Sequence, residues 1–202
     1  RMQFRKKEIG ISEKDGRIIM VKVAILGFGV VGSGVAEVLS GNGAGIQKKA
    51  DELIEVKYIL DVRDFPDSPF AQHFVKDFSV IENDPEVNVV VETIGGVGAA
   101  LDFTERALKQ GKSVVTSNKE LVATHGRRLL DLAAQNNAVY LFEASVGGGI
   151  PVLHPLTQCM AANRIDEVYG ILNGTTNYIL SRMVRTGAFF SDALREAQAK
   201  GY

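Results

Sequence analysis

The sequence has few of the features that mark disulfide-bonded, metal-binding or membrane proteins. Its single cysteine, Cys159, excludes a disulfide within the chain and a cysteine-rich metal site. No apolar run approaches the roughly 18 residues of a membrane span, and the basic N-terminus lacks the apolar segment of a secretory signal. The net charge of -1 gives no sign of a nucleic-acid or membrane partner. We therefore expect a cytoplasmic protein whose partner is a small molecule or another protein.

Glycine, by contrast, is abundant, and its distribution is informative. The 202 residues include 21 glycines, which cluster at 27–34, 41–45, 95–98 and 147–149, each time near a predicted strand end. Glycine at strand ends often brings the backbone close to a ligand. The length of the chain suits one domain, or one domain and part of another.

Continuous apolar runs rich in β-branched residues alternate with helical patterns from residue 21 onwards. The predicted strands cover residues 21–27, 54–62, 87–93, 113–117 and 138–145, and the predicted helices cover 30–40, 100–111 and 127–137. This order predicts an α/β fold, in which a doubly wound (Rossmann-type) parallel sheet is covered by helices on both faces.

The pattern changes after residue 150. A predicted helix over 152–162, a strand over 165–172 and a helix from about residue 176 indicate the beginning of a second α+β domain. The first 19 residues are polar and weakly periodic, and we interpret them as an extension. The predicted domains are therefore an N-terminal extension over 1–19, a Rossmann-type domain over 20–150 and part of a second domain over 151–202.

The segment GFGVVG matches the dinucleotide-binding pattern G-x-G-x-x-G, and it follows a predicted strand and opens a helix, as the pattern requires. The first glycine permits a tight turn, the second lets the backbone reach a pyrophosphate, and the third lets the helix pack closely on the strand. The alternative is a glycine-rich turn without a ligand. The predicted cofactor-binding residues of this segment are Gly27, Phe28, Gly29, Val30, Val31 and Gly32.

The end of the second strand, which selects between NAD and NADP in this fold, contains both relevant kinds of residue. A carboxylate such as Asp61 would hold the ribose 2′-hydroxyl of NAD, whereas an arginine such as Arg63 would bind the 2′-phosphate of NADP. The sequence favours NADP through Arg63 slightly over NAD, and a solvated charge cluster without either role stays an alternative.

Two more strand ends carry polar side chains toward the same edge of the predicted sheet. Thr93 ends the third strand and could approach the ribose or nicotinamide, and an ordinary strand-to-helix turn is the alternative. Lys119 follows the fourth strand, and its ammonium could polarise a carbonyl or stabilise an alkoxide, although such a lysine is more often a surface residue. The three histidines show no metal-ligand spacing, and no motif marks Cys159 as a nucleophile, so we expect that it packs.

Five segments occur in an order and at a spacing that resemble a specific family. They read GFGVVGSGV, VVVETIGG, VVTSNKELVATHG, FEASVGGGIP and NGTTNYIL. From about residue 21 to residue 202 the chain is similar to the N-terminal part of homoserine dehydrogenase. Members of that family interconvert L-homoserine and L-aspartate 4-semialdehyde with NAD(P)(H), in the pathway to threonine, methionine and isoleucine.

The resemblance implies roles for individual residues. Thr93 and Lys119 would lie near the nicotinamide and ribose, with Lys119 also a candidate catalytic residue. Gly174 and Thr175 would lie at the junction of cofactor and substrate, and helix capping by Thr175 or Thr176 is an alternative that can coexist with this role.

The segment FEASVGGGIP of the family also carries a site for a monovalent cation, usually sodium. By that match the ligands in this chain would be the Glu143 carboxylate and the backbone carbonyls of Val146, Gly148 and Ile150. Many members have another residue in place of Gly148, but a carbonyl ligand does not depend on the side chain.

The sequence departs from the family by stopping at residue 202. Members continue with a substrate-binding glutamate, an acidic segment and a second lysine that exchanges the proton, and they are typically homodimers through the second domain. We therefore expect a fragment with little or no turnover by itself. The alternatives are a non-catalytic dinucleotide-binding and dimerisation module, and an aspartate-semialdehyde dehydrogenase, which the lack of a strand-end cysteine disfavours.

Overall fold

Six parallel strands form one sheet in the first part of the chain. The computed structural model describes residues 20–200, so the predicted extension over 1–19 lies outside the described residues. The strands are β1 (Met20–Leu26), β2 (Leu53–Leu60), β3 (Phe74–Val75), β4 (Val87–Glu92), β5 (Ser113–Thr116) and β6 (Tyr140–Leu141). Their spatial order is β3-β2-β1-β4-β5-β6. This is the order of a doubly wound dinucleotide-binding sheet, which confirms the predicted fold class.

Helices cover both faces of the sheet. They are α1 (Val30–Gly41), α2 (Gly43–Ala50), α3 (Phe78–Glu82), α4 (Gly98–Lys109) and α5 (Lys119–Gln135). Alternate residues of β1 point to opposite faces, so Val23 and Ile25 pack with α1, whereas Ala24 and Leu26 pack with residues of α3, α4 and α5. Burial on both faces explains why β1 is apolar at every position from Val23 to Leu26, without the alternating polar residues of a half-exposed strand.

Several elements differ from their predicted bounds. Helix α5 begins at Lys119 instead of residue 127, because the Asn118 side chain caps it by accepting a hydrogen bond from the Leu121 amide (3.1 Å). Helix α2 lies in a polar segment for which the sequence predicted no helix, and none of its residues is buried. The sixth strand contains only Tyr140–Leu141, shorter than the predicted 138–145, because residues 143–145 turn into a single 3-10 turn.

The second compact unit begins at Val146, close to the boundary predicted after residue 150. Its described residues contain a π-helical turn (Pro155–Cys159) and helices α6 (Gly174–Thr186) and α7 (Phe190–Ala199), which pack through Ile179, Ala193 and Ala197. The predicted helix over 152–162 is thus reduced to little more than this turn. Cys159 is exposed, so the expectation that it packs is wrong.

The strand predicted over residues 165–172 is not formed. Those residues are exposed, and no other segment among residues 20–200 pairs with them. A strand obtains its backbone hydrogen bonds from a neighbouring strand, so residues with a preference for strands do not form one without a partner. None of the helices in the described part of the chain combines the length and the apolar character needed to cross a membrane.

Candidate functional site

The turn between β1 and α1 is so tight that two of its positions admit only glycine. Gly27 has a φ of +92°, and a Cβ there would lie 3.0 Å from the Thr93 carbonyl oxygen. A Cβ on Gly32 would lie 1.9 Å from the Gly27 carbonyl oxygen, well inside any real contact. The first and third glycines of the pattern are therefore required by local packing, as predicted.

The N-terminus of α1 is open on the side of the middle glycine. Gly29 is the N-cap residue and supplies no side chain for capping, and a Cβ built on it would meet nothing within 4 Å. Val30 and Val31, which follow it, are 92% and 52% exposed. The first N–H groups of a helix have no partner inside the helix, so this end presents free donors and the positive end of the helix dipole. An anion is the chemistry that fits there.

The sheet places this turn at its topological switch point. Strand β1 lies between β2 and β4, and the connections from β1 and β4 run to opposite sides of the sheet. Thr93, just after β4, ties the two strand ends together, because its amide donates to the Leu26 carbonyl (2.9 Å) and its hydroxyl shares a hydrogen bond with the carbonyls of Leu26 and Gly27 (2.9 and 3.0 Å). The Thr93 hydroxyl thus holds the glycine turn, and its contact with a cofactor stays a prediction.

Asp61, the first residue after β2, is almost completely enclosed by hydrogen-bond donors. One carboxylate oxygen accepts from the Phe28 amide (2.7 Å) and the Arg63 Nη2 (2.9 Å), and the other accepts from the Arg63 amide (2.9 Å) and Nε (3.0 Å). The Arg63 guanidinium, followed by the two backbone donors, holds the pKa of the Asp61 carboxyl well below its usual range against the opposing effect of burial. Both residues singled out for cofactor selection therefore lie together, bound to each other.

The loop that carries Arg63 is braced on two sides. Lys76 donates from Nζ to the carbonyl oxygens of Asp61, Val62 and Arg63, at 3.1, 3.2 and 2.6 Å. On the other side the Arg63 guanidinium carbon lies 5.0 Å from the centre of the Phe65 ring, in cation–π distance. These contacts fix the loop beside the glycine turn before any ligand binds.

An aromatic cluster joins this loop to the glycine turn. The Phe28 ring makes edge-to-face contacts with Phe65 and Phe74, with ring centres 5.0 Å apart in each pair. The residue between the first two glycines therefore packs against the loop after β2. The sequence pattern alone treats that position as variable and gave no signal for the cluster.

A buried polar network connects the ends of β4 and β5. Glu92 is completely buried, and its carboxylate accepts from the Thr116 hydroxyl (2.5 Å) and the Ile94 amide (2.8 Å). The Asn118 amide donates to the Thr116 hydroxyl oxygen (2.9 Å), and the Asn118 side-chain amide donates to the Gly96 carbonyl (2.6 Å). Sequence reasoning missed Glu92 and Asn118 as positioning residues, although a carboxylate that ends an apolar strand was a usable signal.

Lys119 is the first residue of α5, directly after this network. Its side chain is exposed, and its ammonium has no hydrogen-bond or ion-pair partner among residues 20–200. The ammonium thus stays available at the carboxyl edge of the sheet, while the Asn118 cap fixes the backbone that carries it. The part of the chain that the structure describes contains no cluster of three or more histidine, cysteine or acidic side chains that could hold a metal ion.

The remaining predicted site residues belong wholly or partly to the second unit. Gly174 and Thr175 open α6, whose cap is Asn173: its side chain accepts from the Thr176 amide at 2.7 Å. Neither threonine that we considered as a cap has that role, and the contacts of Gly174 and Thr175 with cofactor and substrate stay predictions.

The predicted cation ligands divide between the two units. Glu143 opens the 3-10 turn that ends the first unit, whereas Val146, Gly148 and Ile150 belong to the second. Gly147 and Gly148 have φ values of +75° and +60°, and the Ile150 amide donates to the Gly147 carbonyl (3.1 Å). The glycines therefore form a sharp turn that other residues would adopt only with strain. The cation site itself stays a prediction.

Comparisons with known proteins agree with this arrangement. Two family descriptions match the chain: "Homoserine dehydrogenase, NAD binding domain" over residues 27–143, more than half of the chain, and "Homoserine dehydrogenase" over residues 151–202. The homoserine dehydrogenase of Pseudomonas aeruginosa is 43% identical over 183 residues, which are 90% of this chain and 42% of the relative. The chain therefore spans less than half the length of such curated relatives.

Solved structures give the same result. A homoserine dehydrogenase from Thiobacillus denitrificans superposes with a TM-score of 0.81 at 37% identity, covering 92% of this chain and 43% of that one. A hyperthermophilic archaeal homoserine dehydrogenase, solved in complex with NADPH, superposes with a TM-score of 0.75 at 25% identity, covering 91% of this chain and 62% of that one. With the strand order and the glycine turn, these matches show that the chain belongs to the homoserine dehydrogenase family.

Proposed function

We propose that the protein containing this chain is an NAD(P)-dependent oxidoreductase that interconverts L-homoserine and L-aspartate 4-semialdehyde. The observation that carries the proposal is the open, uncapped N-terminus of α1 at the switch point of the sheet, in a chain of this family. Free backbone donors there suit the pyrophosphate of a dinucleotide, and Gly29 leaves the space that it would occupy. The residues present therefore fit the cofactor.

Most of the proposed cofactor contacts belong to the first unit. The backbone of residues 27–32 would hold the pyrophosphate, with Thr93 maintaining the turn. We propose NADP as the preferred cofactor, because Arg63 is exposed at the end of β2 and Asp61 is already occupied by hydrogen-bond donors. The NADPH complex of the archaeal relative supports this preference.

The nicotinamide, when bound, supplies or accepts the hydride. We assign to Lys119 the role of stabilising the negative charge that develops on the substrate oxygen as the aldehyde is reduced. Its unpartnered ammonium at the carboxyl edge of the sheet and its fixed backbone support that role. Gly174 and Thr175 are proposed to contact cofactor and substrate.

A monovalent cation, which we propose to be sodium, would be bound by the Glu143 carboxylate and the carbonyls of Val146, Gly148 and Ile150. Oxygen ligands suit a hard cation, and the sharp turn at Gly147 and Gly148 lets successive carbonyls point in different directions. We propose that this site takes no part in hydride transfer. The full-length protein is proposed to be a homodimer.

The test is an assay of the full-length protein, which follows NADPH consumption with L-aspartate 4-semialdehyde as substrate. Stoichiometric, substrate-dependent oxidation with L-homoserine as product is the expected result. A parallel titration with NADPH alone measures binding without chemistry. Binding without turnover in the full-length protein would refute the proposed reaction and favour a non-catalytic dinucleotide-binding and dimerisation module.

A further inference from the structure

The two residues at the end of β2 are bound to each other in a way that bears on cofactor choice. We propose that Asp61 is a latent NAD-binding residue that Arg63 masks, so that Arg63 selects NADP both by offering donors to the 2′-phosphate and by blocking a carboxylate that would otherwise hold the ribose of NAD. The inference rests on the proposed cofactor function and goes beyond it, because it assigns Asp61 a role that appears only when Arg63 is removed.

The Asp61 carboxylate has no acceptor capacity to spare. A carboxylate offers about four acceptor positions, two on each oxygen. All four are in use: Phe28 and Arg63 each donate a backbone N–H, and the Arg63 side chain donates through Nε and Nη2. The Asp61 side chain is only 5% exposed. A ribose hydroxyl could therefore reach Asp61 only by displacing the guanidinium.

The Arg63 side chain, in contrast, has donors left over. Guanidinium carries five N–H groups, and two of them bind Asp61. The other three, at Nη1 and Nη2, have no partner in the described residues, and the side chain is 59% exposed. One edge of the guanidinium thus faces Asp61, and the other edge is available to the oxygens of a phosphate group.

Removal of the Arg63 side chain would free two acceptor positions of the Asp61 carboxylate without moving Asp61. The two backbone N–H groups, of Phe28 and of residue 63 itself, would still hold one bond to each carboxylate oxygen. Lys76 would still bind three carbonyls of the same loop. The carboxylate would then keep its position at the end of β2 with one open acceptor site on each oxygen, which is the arrangement that binds a ribose diol in NAD-specific sheets.

The neighbouring charges do not take over the role of Arg63. Lys76 directs its ammonium to the backbone carbonyls and to the Asp64 carboxylate (2.8 Å). No other cationic side chain in the part of the chain that the structure describes forms an ion pair with Asp61. The masking of Asp61 is therefore a property of one side chain and can be removed by one substitution.

The experiment measures dissociation constants of NADH and NADPH for the full-length protein and its Arg63→Ala variant, by cofactor fluorescence without substrate. We expect NADPH binding to weaken at least about tenfold, through loss of charge-assisted hydrogen bonds, and NADH binding to strengthen by about threefold or more. Arg127→Ala is the matched control, since Arg127 also pairs with an aspartate, Asp131, at 3.2 Å on the exposed side of α5. It should change neither constant.

Two further measurements test whether the expected gain in NADH affinity comes from the Asp61 carboxylate. An NADH analogue without the adenosine 2′-hydroxyl should bind Arg63→Ala no more tightly than wild type, and the double variant Asp61→Asn/Arg63→Ala should lose most of the gain in NADH affinity. Unchanged or weaker NADH binding by Arg63→Ala, or an equal gain with the deoxy analogue, would overturn the inference. Wild-type protein that binds cofactor but does not reduce the semialdehyde would overturn only the proposed reaction.

Discussion

Replacing Gly32 by alanine should separate the glycine turn from helix α1. The new Cβ would lie 1.9 Å from the Gly27 carbonyl oxygen and 2.9 Å from the Thr93 hydroxyl, whereas ordinary contacts begin at 3.4 Å. The nearest obstacle is backbone, which cannot rotate away as a side chain can. The turn and the helix would therefore have to move apart by on the order of 1.5 Å, because a packed interior has no free space to absorb the methyl group.

The loss in the free energy of unfolding can be estimated from the typical effects of overpacking and of helix propensity. Overpacking a filled site costs about 1 to 3 kcal/mol, and backbone contacts place Gly32→Ala at the upper end of that range. The gain in helix propensity from glycine to alanine, about 0.5 to 1 kcal/mol, offsets only part of this. We expect a net loss of about 2 kcal/mol in the free energy of unfolding, which leaves a domain of ordinary stability folded. Cofactor affinity should fall at least about tenfold, since the N–H groups move relative to the turn.

A second glycine of the same helix provides a control for which the expected change in stability has the opposite sign. Gly34 lies two residues further along α1, and a Cβ on it would meet nothing within 4 Å. Gly34→Ala should therefore stabilise the protein by about 0.5 to 1 kcal/mol and leave cofactor binding unchanged. Urea unfolding and NADPH fluorescence titration of the two variants give both quantities. Equal behaviour of Gly32→Ala and Gly34→Ala would refute the steric reasoning.

Three further outcomes are expected. Tyr140→Phe should stabilise the protein by about 1 kcal/mol in urea unfolding, because the buried Tyr140 hydroxyl has no hydrogen-bond partner among the described residues; a loss of stability would reveal one. Asp84, bound by Lys57 at 2.6 Å, has its pKa lowered from 3.8 to about 2, so its contribution is present above pH 3.8 and is lost as the pH falls towards 2. Asp84→Asn should therefore lower stability by about 1 to 2 kcal/mol near neutral pH, and the difference from wild type should shrink progressively as the pH falls from 3.8 through about 2; a constant difference would exclude this origin. Lys119→Ala in the full-length protein should lower kcat at least about a hundredfold, whereas Lys109→Ala on α4 should not; a near-normal kcat would remove Lys119 from the chemistry.

The sheet was predictable because its central strands are buried on both faces. Such strands are largely apolar, and the runs at residues 23–26 of β1 and 89–91 of β4 show this directly in the sequence. The glycine turn was predictable for a related reason: steric limits at Gly27 and Gly32 leave one residue type, so the pattern is visible without the fold.

Other features depend on contacts between residues far apart in the chain. The start of α5 depends on a network that begins at Glu92, 26 positions before Asn118. The sequence showed that Asp61 and Arg63 are both charged, but it did not show that the two side chains bind each other. The β-branched and aromatic residues over 165–172 are typical of a strand, yet strand formation also needs a partner that local sequence does not specify.

The sheet ends at both edges in very short strands, β3 and β6, of two residues each. An edge strand exposes unpaired backbone groups on which a strand of another molecule can dock, and the risk grows with the length of the edge. Two residues offer too few donors and acceptors for stable pairing. The shortness of these strands therefore limits edge-to-edge pairing by the first unit.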